Sequence, residues 1–116
     1  MLFICHTKCS TCKKAEKWLV EQGVTFEKRD IQVNNPTREE IAEWFEKSGL
    51  TINKLFNTSG QLYRQMGLKD RLKEEDTETL LDLLATDGML VKRPILVSDK
   101  GVLFGFKEAD YEKTAL

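Results

Sequence analysis

The chain has 116 residues, 41% of them hydrophobic and 32% charged, with a formal net charge of −1. That length suits one domain over 1–116, able to bury a core without a metal or disulfide staple. The near-neutral balance excludes a global electrostatic footprint for direct nucleic-acid or membrane-surface binding. No apolar run approaches the roughly 20 residues that cross a bilayer. Met1-Leu2-Phe3-Ile4-Cys5 is apolar but carries no basic leader or cleavage site, so it reads as a first strand over 2–5 rather than an export signal. The expected compartment is therefore the cytoplasm, where thiols are kept reduced.

A helix follows over Ser10 to Gln22, with Ala15, Trp18 and Leu19 on one apolar stripe and Gly23 as its stop. Val24 to Ile31 reads as a second strand. Thr37 then caps a helix, with Glu40 three residues on as in a capping box. Ile41, Ala42, Trp44 and Phe45 supply its buried face, and Gly49 ends it. Residues 50–90 read as short helical pieces broken at Gly60, Gly67 and Gly88, the last of them starting near Asp76. Ile95 to Val97 and Val102 to Phe104 are strands joined by a hairpin turn at Asp99-Lys100-Gly101. A terminal helix runs from Glu108 to Leu116. The order gives a β-α-β unit, a helical insert over about 50–90, and a β-β-α unit. That is the α/β thioredoxin-like arrangement, with a mixed central sheet.

The three cysteines stand within the first twelve residues. A structural disulfide framework spreads its cysteines along the chain, so this clustering points to chemistry. Lys8-Cys9-Ser10-Thr11-Cys12 places a C-x-x-C on the turn from strand to helix. Cys9 then meets the free N–H groups and positive dipole end of the helix. Residues 1–17 add four lysines (8, 13, 14 and 17) against one glutamate, Glu16. Both features favour the Cys9 thiolate, the nucleophilic form. Cys12, one turn on, is expected to be less exposed and to resolve the mixed disulfide that Cys9 forms. A four-ligand zinc set would need Cys5, His6, Cys9 and Cys12 together. Neighbouring strand residues face opposite ways, which disfavours it, and no metal is expected. Cys5 reads as a small core residue. His6, the only histidine, reads as a strand-end residue.

Arg93-Pro94 precedes the third strand. In thioredoxin-fold proteins the proline there has a cis peptide bond and faces the active cysteine. Arg93 would then bind an anion or support the thiolate. Lys8 and Thr11 join Arg93 and Pro94 as the expected substrate-binding and thiolate-supporting residues. Trp18, Trp44, Phe45 and Phe56 read as core.

Four segments together resemble the arsenate reductase (ArsC)/Spx/YffB family. They are the strand leading into Cys9-Ser10-Thr11-Cys12, the stretch Leu55-Phe56-Asn57-Thr58-Ser59-Gly60 with Tyr63 to Leu68, Arg93-Pro94-Ile95-Leu96-Val97, and Gly105-Phe106-Lys107-Glu108. The resemblance implies a thioredoxin-like fold with an inserted helical subdomain. In glutathione-coupled arsenate reductases one active cysteine, matched by Cys9, is surrounded by arginines that hold the oxyanion. Arg93 matches one of them. Asn57 and Phe106-Lys107 stand where two others would fall, a departure that weighs against arsenate reduction. Cys12 matches the Spx-like branch, whose pair forms a redox-switching disulfide and whose members bind the C-terminal domain of the RNA polymerase α subunit. Three readings follow: a thiol–disulfide oxidoreductase with no resident cofactor and an external donor such as glutathione or thioredoxin; a redox-sensing regulator of RNA polymerase; and an arsenate reductase.

Overall fold

The computed structural model describes residues 1–116. Its elements are β1 (Leu2–Cys5), α1 (Ser10–Glu21), β2 (Glu27–Asp30), α2 (Arg38–Ser48), α3 (Gln61–Gln65), α4 (Leu68–Glu74), α5 (Thr77–Leu84), β3 (Ile95–Ser98), β4 (Gly101–Phe104) and α6 (Glu108–Ala115). The sheet runs in the order β2-β1-β3-β4. β1 is parallel to β2 and antiparallel to β3, which is antiparallel to β4. The thioredoxin-like expectation holds, with α3–α5 as the insert between the halves.

Strand alternation divides the core into two layers. Phe3 and Cys5 of β1, with Leu96 of β3, point to the α1 and α6 side and pack with Cys12, Ala15, Leu19 and Tyr111. Ile4 and Ile95 point to the other side, where α2, α5 and the insert close over them. A one-residue slip of β1 would exchange these sets, so burial on both faces fixes its register. β1 thereby ends at a defined height, and the next turn places Cys9 above the sheet.

The second strand is shorter than the Val24 to Ile31 expected from sequence. Gly23 ends α1 in the left-handed region at φ 72°. The Val24 N–H then bonds back to the Leu19 carbonyl at 3.0 Å, so it cannot enter a ladder. Val24 and Phe26 still bury apolar surface against the α1 layer, and the Phe26 ring lies 5.5 Å from that of Phe3. Only the charged stretch Glu27–Asp30 pairs with β1. Its anchor is Arg29, whose guanidinium forks onto Glu40 at 2.7 and 3.0 Å. Glu40 also accepts the Thr37 N–H at 3.0 Å as the expected capping box. These contacts, Arg29 foremost, hold the Glu40 carboxyl below the usual carboxylate range.

The insert is held to the sheet half by a close approach at Gly88, in a short 3-10 turn over Gly88–Leu90. Nearby, Asn35 Nδ2 donates to the Ala85 carbonyl at 2.7 Å. A methyl on Gly88 would stand 2.2 Å from the Ile31 carbonyl oxygen and 2.8 Å from Asn35 Oδ1. Gly88→Ala should therefore destabilise by about 1–3 kcal/mol or more. A thermal melt should show the midpoint lowered by several degrees; an unchanged midpoint would contradict this packing.

Candidate functional site

The site grows from the turn His6-Thr7-Lys8 between β1 and α1. The Cys9 N–H donates to the His6 carbonyl at 3.1 Å, which closes the turn. Cys9 is then the N-cap of α1, in an extended conformation at φ −92° and ψ 117°. A serine or aspartate oxygen usually occupies this capping position. Here Cys9 Sγ takes its place and accepts the Cys12 N–H at 3.3 Å. No acidic residue stands in the first turn to compete for the helix end. The sulfur that faces the cleft is therefore set against an oriented backbone donor and the positive end of a 12-residue helix.

Cys12 sits one turn deeper and is only 2% exposed. Its sulfur accepts the His6 N–H at 3.5 Å. Burial pushes its thiol up to about 12, outweighing that hydrogen bond. Burial raises Cys5 as well. All three cysteines are free thiols, and Cys9 is the most accessible of them.

His6 is buried, and both its ring nitrogens have partners. Nδ1 accepts the Lys8 N–H at 3.3 Å, which leaves the proton on Nε2 for Gln32 Oε1 at 2.9 Å. The ring braces the turn through these bonds. No three His, Cys, Asp or Glu side chains converge as a metal-binding set.

An open cleft of about 360 Å³ lies over Cys9. Cys9, Thr11 and Arg93 all line it, together with Asn57, Ser59 and Phe106. Arg93 is half-buried, and its Nε and Nη1 are buried with no protein hydrogen-bond partner. No acidic side chain lines the cleft. Pro94 is buried behind it, joined to Arg93 by a cis peptide bond. The Pro94 carbonyl accepts the Gly105 N–H at 2.8 Å. Lys8 is exposed and lies outside the cleft lining; its ordered contribution is the backbone bond to His6.

Spacing alone does not find several cleft residues. Phe56 and Lys92 are brought together by an isolated bridge between Phe56 and Val91 and by the Lys92 N–H bond to the Leu55 carbonyl at 2.8 Å. Gly105 is fixed from below by Tyr111, whose hydroxyl donates to its carbonyl at 3.1 Å. Tyr111 is fully buried between the rings of Trp18 and Phe106, with centroids 5.9 and 4.8 Å away. Trp18 Nε1 donates to Glu108 at 3.1 Å. This cluster ties the α1 layer to the wall of the cleft.

Known proteins are similar to this chain in sequence and fold. The uncharacterized protein YusI of Bacillus subtilis strain 168 is 43% identical over 113 residues, 97% of this chain and 96% of that protein. A solved structure of an ArsC-family-related protein from Bacteroides fragilis superposes with a TM-score of 0.95 at 46% identity, covering 97% of this chain and 94% of the other. The global transcriptional regulator Spx of Streptococcus pyogenes serotype M1 is 26% identical over 100 residues, 86% of this chain and 73% of Spx. The ArsC family model itself matches residues 5–114. The chain belongs to the ArsC family.

Proposed function

We propose that this protein is a cytoplasmic thiol–disulfide oxidoreductase in which Cys9 attacks and Cys12 resolves. The observation that carries this reading is the asymmetry of the pair. Cys9 Sγ faces an open cleft and accepts a helix N-terminal N–H, whereas Cys12 is buried and stays protonated at neutral pH.

The chemistry balances over two steps. The Cys9 thiolate attacks one sulfur of a substrate disulfide, and the other sulfur leaves as a thiolate. Cys9 and the substrate are then joined as a mixed disulfide. The Cys12 thiol gives up its proton and attacks Cys9 Sγ, releasing the second substrate thiol. Two electrons have passed from the dithiol to the substrate, leaving a Cys9–Cys12 disulfide. An external thiol, glutathione or a thioredoxin-like protein, returns them. The Cys12 N–H contacts Cys9 Sγ at 3.3 Å, which supports the two residues acting as a pair.

A second reading, reduction of a small oxyanion such as arsenate, has one observation in its favour. The Arg93 guanidinium presents two buried nitrogens without protein partners beside the Cys9 cleft. Asn57 and Phe106 line the same cleft as neutral groups, which leaves Arg93 and Lys92 as its only cations for a multiply charged anion. The similarity to Spx supports a third, regulatory reading, in which the pair senses oxidation and RNA polymerase is the partner.

Three measurements separate these readings. Cys9→Ser should lower disulfide reductase turnover by about three orders of magnitude or more, while Cys12→Ser should accumulate Cys9 mixed disulfides visible by intact mass. In Cys9→Ser, alkylation of Cys12 by iodoacetamide should be negligible at pH 7 and rise only well above pH 9, because burial keeps the thiol protonated. Alkylation of Cys12 at the rate of free cysteine would contradict that assignment. Sulfate and arsenate should slow alkylation of Cys9 in the unaltered protein but not in Arg93→Gln. Equal protection in both would remove Arg93 from anion binding.

A further inference from the structure

Beside the Cys9 cleft lies a second one of about 140 Å³, between the end of α2, β4 and α6. Lys92 and Gly105 border both. Gly105 has no side chain and adopts φ 91°, and the Lys92 stem crosses it closely: a methyl there would stand 3.0 Å from Lys92 Cε. Both main-chain groups of Gly105 are already bonded, to Pro94 and Tyr111. The divide between the clefts is therefore the Gly105 backbone overlaid by the flexible Lys92 stem, with no free main-chain hydrogen-bonding group.

The second cleft is strongly polarised. Lys54, Lys92 and Lys107 line it against the single acidic residue Asp110. None of the three lysines makes an ion pair, so their charges are available to a ligand. The cleft is thus locally basic in a chain whose net charge is −1. One wall is β4, an edge strand of the sheet. Edge strands accept extended chains by added pairing.

We propose that the Lys54–Lys92–Lys107 cleft docks an acidic polypeptide segment flanking the disulfide sulfur that Cys9 attacks. An extended ligand is required because Lys54 and Lys107 border only the second cleft and Cys9 only the first. This inference rests on the oxidoreductase reading for its chemistry but not for its binding.

The test uses seven-residue peptides with a central position flanked by Asp and Glu or by Ser and Gly. With serine at the centre, fluorescence anisotropy on the reduced protein should show the acidic peptide binding at least tenfold tighter than the neutral one. Lys54→Gln/Lys107→Gln should abolish that preference. Lys69→Gln/Lys73→Gln, which removes equal charge from α4, should keep it. Loss of preference in both double variants, or none in the unaltered protein, overturns the docking site. With central cysteine carried as a thionitrobenzoate mixed disulfide, release of thionitrobenzoate should be faster from the acidic peptide. Preferential binding without any release sustains the docking site and sinks the oxidoreductase reading. Equal release from both peptides without preferential binding does the reverse. If oxidised glutathione displaces the acidic peptide at the same concentration as unlabelled peptide, a small carboxylated thiol suffices and the polypeptide assignment fails.

Discussion

The site depends on one bond: the Cys12 N–H donated to Cys9 Sγ at the start of α1. A helix leaves its first N–H groups without internal partners, and something must satisfy them. Most chains use a hydroxyl or carboxylate. Here a sulfur serves, so the group that caps the helix is also the group exposed to the cleft. The local geometry that begins the helix therefore also fixes the atom presented to the cleft. The turn reaches this position because β1 is locked in register by apolar layers on both faces. The β1 register, the turn braced by His6, and the cap form one chain of constraint.

The second half of the molecule supplies the opposite wall. Arg93 and Pro94 stand at the entry to β3, which pairs with β1, so the same register that sets Cys9 also sets the residues across from it. The Tyr111 hydroxyl and the Pro94 carbonyl then hold the Gly105 segment against that wall. Burial pushes the Tyr111 phenol above its ordinary range, so it remains a donor to Gly105 at neutral pH. Cys9 sulfur, guanidinium and loop thus belong to one packed unit. The helical insert contributes Phe56 to Ser59 and closes the cleft from the side.

Much of this was legible in the residues. The order of elements follows from apolar runs, Gly stops and the Thr37–Glu40 box, and the structure shows them in that order. The C-x-x-C at a strand-to-helix turn specifies the Cys9 cap because only local spacing is involved. Two things were not legible. The extent of β2 was misjudged because Val24 is committed to the α1 terminus by a main-chain bond that composition does not reveal. The charged strand that does form is held by Arg29 and Glu40, a pairing across eleven residues that no periodicity signals. The cleft wall was hidden for a related reason. Lys92, Phe56 and Gly105 meet through long-range bonds, and such contacts leave no mark in a local window.

The account turns on Cys9 and Cys12 acting as one two-electron pair, with Cys5 kept apart in the core. Equilibrating the protein in glutathione redox buffers and mapping the oxidised form by peptide mass tests this most directly. The predicted result is a single transition from three free thiols to a Cys9–Cys12 disulfide with Cys5 still reduced. A bridge to Cys5, or Cys9 held only as a glutathione adduct with Cys12 still free, would contradict it.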